Sequence, residues 1–160
     1  LGVVESPVLN KNLVVEVCRV DQLVAVVSPN HPLAGKDTVT IGELLEYPYI
    51  CREEGSGTRE VISEYMTEQG IHNGQVHLTM ELGSPESIKG AVEAGMGVSI
   101  ISSATVQKEL KLGTLVPLTL VPALERPFSF VHQKQKFRHR AMDELLEFAR
   151  SYCKAHPKVV

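Results

Sequence analysis

The stretch "CREEGSGTREV", residues 51 to 61, gathers two glycines, two hydroxyls and two guanidiniums at what reads as the mouth of a helix. A helix opening leaves its first backbone N–H groups without intrahelical partners and carries partial positive charge. Ser56 and Thr58 add hydroxyl donors, Gly55 and Gly57 let backbone approach a ligand, and Arg52 or Arg59 offers a fork for a carboxylate. Anion capture is the chemistry on offer; plain N-capping by Ser56 or Thr58 is the alternative. A second opening of this kind is "MELGSPES", 80 to 87, with Ser84 placed to cap and Pro85 at the first helical position.

Nucleotide loops fail on spacing. A phosphate-binding P-loop needs Lys after its last glycine, but Gly57 is followed by Thr58 and Arg59. The dinucleotide fingerprint needs glycine at position 60, which is Glu60. "GMG" at 95 to 97 follows a helical pattern and precedes an extended one, the wrong order for such a loop. No serine sits in a nucleophile elbow, and Glu53 and Glu54 are adjacent, so they point apart and read as solvated charges. The chain is therefore expected not to be an enzyme and to need no cofactor. Only His72 and His77 lie close together among six histidines, with no carboxylate or thiol at ligand spacing, so no metal is expected. Cys18, Cys51 and Cys153 are odd in number and widely spaced, which suits reduced thiols in a cytoplasm.

The elements that must position these groups follow from periodicity. A chain of 160 residues with 43% hydrophobic and 22% charged residues is ordinary for a globular protein, and at this length about 70% of the unfolded surface can be buried. The longest apolar runs, such as "LVAVV" at 23 to 27, fall far short of the ~20 residues that span a bilayer. Apolar extended stretches alternate with helical ones, the pattern of an α/β fold with a largely parallel sheet. Strands are expected at 13–17, 23–28, 49–52, 76–82, 98–101, 115–120 and 128–132. Helices are expected from Thr58 to Gly70, from Pro85 to Gly95, from Ala104 to Leu112 and from Arg140 to Cys153, the last with Met142, Leu145, Leu146, Ala149 and Tyr152 on one face. Two helix mouths that each follow a parallel strand fall at one carboxyl edge, where open α/β sheets take ligands.

Net charge is −3, so bulk electrostatics do not drive this segment onto nucleic acid. The basic run "HQKQKFRHR", 132 to 140, reads as an exposed connector into the last helix. The chain opens without Met, inside the extended pattern "LGVVES", and is read as a segment of a longer protein.

"DQLVAVVSPNHPLA", "TIGELLEYPYICREEGSGTRE", "ESIKGAVEAGMGVSIIS" and "LKLGTLVPL" occur in this order across nearly the whole chain. Together they resemble the effector-binding domain of LysR-type transcriptional regulators. The resemblance implies a fold like that of type 2 periplasmic binding proteins: two Rossmann-like lobes joined by two crossing strands, near 26–29 and 130–133, with a small-molecule effector between them. Residues 28–131 would form the second lobe. Residues 1–27 and 132–160 would be part of a first lobe that is incomplete here. Matched position by position, Arg52, Ser56, Gly57 and Thr58 are the implied effector contacts, with Ser84 and Ser28 as further candidates. A small anionic or carboxylate effector, a cytoplasmic homo-oligomer and DNA contact only through an N-terminal domain outside this chain follow from the same likeness. A solute-binding protein of a transport system, with the same fold, is the other reading, and the coding sequence upstream separates the two. An incomplete first lobe would also leave apolar faces near Leu13 and on 140–153 open to self-association.

Overall fold

The computed structural model describes residues 1–5, 8–72, 74, 76–134 and 140–156. In chain order the strands are β1 (Gly2–Val4), β2 (Leu13–Val27), β3 (Thr38–Thr40), β4 (Tyr49–Arg52), β5 (Leu78–Leu82), β6 (Ser99–Ser102), β7 (Val116–Val121) and β8 (Leu124–Gln133). The helices are α1 (Ile41–Leu44), α2 (Gly57–Glu68), α3 (Pro85–Glu93), α4 (Gln107–Leu112) and α5 (Arg140–Ala155). The chain divides into two compact units, Gln22–Glu125 and Leu1–Asp21 with Arg126–Val160. The strands β2 and β8 each run through a division point, at 21/22 and at 125/126.

Within 22–125, strand residues alternate between two apolar cores, as the two-residue period of a strand requires. Tyr49 and Cys51 of β4 join Ile62, Tyr65 and Met66 of α2, together with Leu23, Ala25 and Val27 of β2. Ile50, from the opposite face of β4, joins Val24, Val26 and Ile101 with Ile88 and Val92 of α3. β4 is thus covered on both faces, which is why "YIC" is an unbroken buried run. Each fully buried aliphatic side chain contributes roughly 1.5–3 kcal/mol. Ile50→Ala, at a fully buried position, would cost about 2–5 kcal/mol.

The sheets are mixed, which corrects the expectation of largely parallel pairing. β4 pairs β5 in parallel and β3 pairs β7 in parallel, but β2 runs antiparallel to both β6 and β7. A further parallel bridge joins Tyr49 to Val98 beside β6. At that crossing Gly97 is required by close approach, since a Cβ there would lie 2.4 Å from the Pro48 carbonyl oxygen. The same carbonyl accepts the Val98 N–H at 2.8 Å. Three elements were not anticipated: β3, the single turn α1 and a 3-10 turn at Pro32–Gly35. α1 is held by a capping box in which Thr40 and Glu43 exchange hydrogen bonds. The helix expected from Ala104 is a 3-10 turn, Ser103–Val106, that leads into α4.

In the other unit, β1 pairs antiparallel with β8, Gly2 opposite Val131 and Val4 opposite Ser129. Expected as two strands, 13–17 and 23–28, β2 is one strand of 15 residues. Of the polar residues that interrupt its apolar run, Asp21 is neutralised in place. Asp21 is fully buried, and its Oδ2 accepts from Nε and Nη2 of Arg126, each at 2.9 Å. Arg126 also contacts the Glu5 carboxylate and lies over the Phe128 ring, 5.3 Å from its centroid. Glu16 of β2 takes a two-pronged bond from Arg150 of α5, at 2.8 and 2.6 Å. α5 is amphipathic as expected, yet Leu146 is its only apolar side chain that is fully buried among the described residues. Leu145, Phe148 and Tyr152 stay more than half exposed. In the run 132 to 140, Lys134 donates to the Lys11 carbonyl, and 135–139 lie outside the described residues. No helix among the described residues is long and apolar enough to cross a membrane.

A buried ion pair is costly to break from one side, because the remaining charge loses its partner. Arg126→Met is therefore expected to lower unfolding free energy by about 3–5 kcal/mol in a denaturant titration, and adding Asp21→Leu should recover much of that loss. Equal midpoints for Arg126→Met and the unsubstituted chain would show the pair to be unimportant.

Candidate functional site

β4 and β5 are parallel and in register at Cys51↔Glu81 and Arg52↔Leu82. Each is followed by a helix, so the mouths of α2 and α3 open at the same carboxyl edge. The Tyr49↔Val98 bridge is also parallel, which brings the end of β6 at Ser102 to that edge as a third member. Arg52, Ser56, Gly57, Thr58 and Ser84 therefore share one place. Ser28 does not. In the antiparallel pairing of β2 with β6, Leu23 is opposite Ser102 and Val26 opposite Ser99, so Ser28 lies past the amino end of β6. Five extended residues separate it from the site's level, about 16 Å. Ser102, buried and opposite Leu23, is the hydroxyl that β6 brings to this edge. Only strand register reveals it.

The turn into α2 depends on Gly55, whose φ of +83° is the left-handed conformation that glycine adopts without strain. It brings Ser56, buried with extended backbone, to the N-cap position. Ser56 nevertheless makes no side-chain cap bond, so the plain capping alternative is not what its hydroxyl does. The first helical bond is from the Glu60 N–H to the Ser56 carbonyl, at 3.0 Å. The N–H groups of Gly57, Thr58 and Arg59 precede it and have no acceptor within the helix. Thr58 is buried beside them. At α3 the arrangement differs. Ser84 accepts the Ser87 N–H at 3.1 Å, and the two hydroxyls are 2.9 Å apart. Ser84 is thus a working cap.

The charges around the α2 mouth are largely paired with each other. Arg52 grips the Glu53 carboxylate through Nε and Nη2 at 2.7 and 2.8 Å. That bond holds the Glu53 carboxyl well below its ordinary value, at about 2. Arg59 donates through Nη1 to Glu81 at 2.5 Å and to the Arg52 carbonyl at 3.0 Å. Glu81 also accepts the Glu54 N–H at 3.3 Å. Arg59, as hydrogen-bond donor, lowers the Glu81 pKa, and Glu81 in turn raises that of Arg59. Glu81 was not anticipated as part of this site, since nothing near 81 in the chain marks a partner 22 residues upstream. It ties β5 to the turn and to the first turn of α2.

A cavity of about 450 Å³ lies on the α2 face of the β4–β5 pair. It is lined by Tyr49, Cys51, Arg59, Ile62, Met66 and Leu78 among others. Of the residues expected to meet an anion only Arg59 lines it; Arg52, Ser56, Gly57, Thr58, Ser84 and Ser28 do not. Its wall is mixed, with Glu54, Arg59 and Ser63 beside the apolar side chains, and its Arg59 already binds Glu81. Among the described residues no group of three or more His, Cys, Asp or Glu side chains could hold a metal ion.

Parallel strands with helix mouths at one edge, in a chain of two α/β units joined by two strands, define a ligand-binding domain of the type 2 periplasmic-binding-protein kind. The family model "LysR substrate binding domain" matches residues 1–154, and this chain belongs to that family. The chain is 34% identical over 149 residues to the uncharacterized HTH-type transcriptional regulator YeiE of Escherichia coli K12, covering 92% of this chain and 50% of that protein. It is 31% identical over 156 residues to the RuBisCO operon transcriptional regulator of Allochromatium vinosum, again 92% and 50%. The chain thus spans about half the length of these relatives. Among solved structures, the regulatory domain of Synechocystis PCC6803 CcmR in complex with 2-PG superposes with a TM-score of 0.85. It is 28% identical, with 97% of this chain and 74% of that one covered. The effector binding domain of QuiR in complex with shikimate gives 0.81 at 25% identity, covering 94% and 70%.

The Arg52–Glu53 and Arg59–Glu81 pairs carry an acid dependence. Both carboxyls are depressed in the folded chain, so what they contribute is present above the ordinary carboxylate value of 4.5 and is lost as pH falls, for Glu53 toward about 2. The backbone of 53–60 is expected to loosen over that window while the β2 and β6 amides stay protected. Glu81→Gln should produce the same loosening at neutral pH. Amide exchange resolved by NMR checks this, and an unperturbed turn in Glu81→Gln would count against the tie.

Proposed function

We propose that this chain is the effector-sensing part of a LysR-type transcriptional regulator, and that its effector is a small carboxylate or phosphate anion bound at the carboxyl edge of β4, β5 and β6. The observation that carries the reading is the α2 mouth. Ser56 is buried at the N-cap without capping, beside helix N–H groups that have no partner within the helix, on a turn that Gly55 opens. Such an opening suits an anion through hydrogen bonding and through the helix dipole. Two similar domains were solved with 2-PG and with shikimate, both acids. In this reading Ser56, Gly57 and Thr58 bind the anion, Arg52 exchanges part of its bond to Glu53 for the ligand, and Ser84 positions the α3 mouth through its cap.

The chain's work is binding and not turnover. A ligand that favours one arrangement of the regulator shifts its population by its difference in affinity, and effector binding is coupled to DNA through that shift. DNA contact belongs to a helix-turn-helix domain outside this chain, in keeping with a net charge of −3 here. The regulator works as a cytoplasmic homo-oligomer.

Thermal-shift titration of the full-length regulator with 2-phosphoglycolate, shikimate, inorganic phosphate and a neutral sugar tests the ligand class. The acids are expected to raise the melting temperature saturably and the sugar to leave it unchanged. Ser56→Ala with Thr58→Val removes two hydroxyls that each contribute about 1.5–3 kcal/mol to a charged ligand, so binding of the preferred acid should weaken by roughly 100-fold or more. An unchanged titration in that double variant refutes the site.

A further inference from the structure

Cys18 and Cys153 are 135 residues apart in sequence (153 minus 18) and meet in space. Cys18 lies on β2 and Cys153 in the last turn of α5, and both residues line the same two cavities beside these elements. The register that brings them together is set by a neighbouring bond. Arg150 holds Glu16 through two hydrogen bonds at 2.8 and 2.6 Å. Cys18 is two residues beyond Glu16 and so on the same face of β2. Cys153 is three residues beyond Arg150, one helical turn further on the same face of α5. Each step advances by about 5–7 Å along its own element, and the two thiols arrive beside the same cavities, with the Cys18 Sγ–H donating to the Phe128 carbonyl at 3.1 Å. Both are partly exposed and neither is in a disulfide. Cys51, the third thiol, lies in the other unit, on β4, and is buried.

We propose that Cys18 and Cys153 form a reversible intramolecular disulfide that fastens α5 to β2 when the chain meets a peroxide. One thiolate attacks a peroxide oxygen, the O–O bond breaks, and the sulfenic acid and one water result. The second thiolate displaces the hydroxyl from that sulfur, forming the S–S bond and a second water. Two thiols and one hydrogen peroxide thus give one disulfide and two waters, with sulfur oxidised and peroxide reduced. Burial, and then the Cys153 sulfur, push the Cys18 thiol up, so the reaction should quicken as pH rises above neutrality. The consequence is local. α5 has Leu146 as its only fully buried apolar side chain among the described residues, and the Glu16–Arg150 pair is exposed, so a covalent link adds a hold that its own packing lacks.

The test treats the full chain, dilute and reduced, with hydrogen peroxide, alkylates without reductant and maps the peptides by mass spectrometry. The expected result is one peptide pair joining Cys18 to Cys153, with Cys51 alone alkylated, and recovery of all three thiols on reduction. Amide exchange in 140–155 should slow on oxidation and return on reduction. Cys51→Ser should keep the cross-link, whereas Cys18→Ser and Cys153→Ser should each abolish it. The unsubstituted chain decides the matter even if a variant folds poorly. Full alkylation of all three thiols after peroxide, a bond between two chains, a bond that includes Cys51, or sulfinic acid without a cross-link would each overturn the proposal. So would a Cys18–Cys153 bond that left exchange in 140–155 unchanged.

Discussion

The parallel contact between Tyr49–Arg52 and Leu78–Leu82 governs most of what the larger unit does. Parallel pairing forces the chain to cross back between the strands, and α2 makes that crossing. A second parallel step, Tyr49 beside Val98, repeats the constraint with α3 as the crossing helix. Three strand ends therefore share one edge, and the two helix mouths have nowhere else to open. Gly97 marks how tight the arrangement is. The backbone at Pro48 passes so close that a side chain at 97 would collide with a carbonyl. Replacing this contact with another register would move Ser56 and Ser84 apart and turn the faces of β4 inside out, since a slip of one residue exchanges the faces.

Charge fixes what the strand register leaves free. Arg59 and Glu81 link the first turn of α2 to the neighbouring strand, while Arg52 and Glu53 fold the start of the turn onto itself. These pairs are partly exposed and each contributes little to global stability, with the median for such bridges at ~0–1 kcal/mol. Their importance is geometric, because they tie the turn to β5 and to the first turn of α2. Asp21 with Arg126 is the contrasting case, fully desolvated and joined across 105 residues. Lys89 is a third instance, buried between Glu109 and Glu86 and donating to the Thr105 carbonyl, which joins α3 to α4.

Helix ends were the most legible part of the sequence. Gly70, Gly95 and Gly113 all take positive φ where the periodic patterns stop, and Pro85 opens α3 after its Ser84 cap. Those signals are local, so one chain segment carries them entirely. Strand direction and register are not local. The two apparent strands in 13–28 are one because Asp21 finds a buried partner that lies far along the chain. Likewise, Ser28 sits next to an apolar strand in the sequence, yet antiparallel pairing carries it to the far end from the α2 mouth, while Ser102 falls at the near end. The hydroxyl and glycine content of "GSGT" marked the turn into α2; that Ser56 does not cap could be seen only once its neighbours were placed. The nearness of Cys18 and Cys153 was equally hidden by their separation.

The central claim is that an anion sits on the α2 mouth, and backbone amides report that contact directly. In an NMR titration with 2-phosphoglycolate, the account predicts saturable shifts of the Gly57, Thr58 and Arg59 amides, with smaller changes at Ser84 and Ser102. Shifts confined to Tyr49, Met66 and Leu78 around the cavity on the α2 face, with the α2 mouth unmoved, would contradict it.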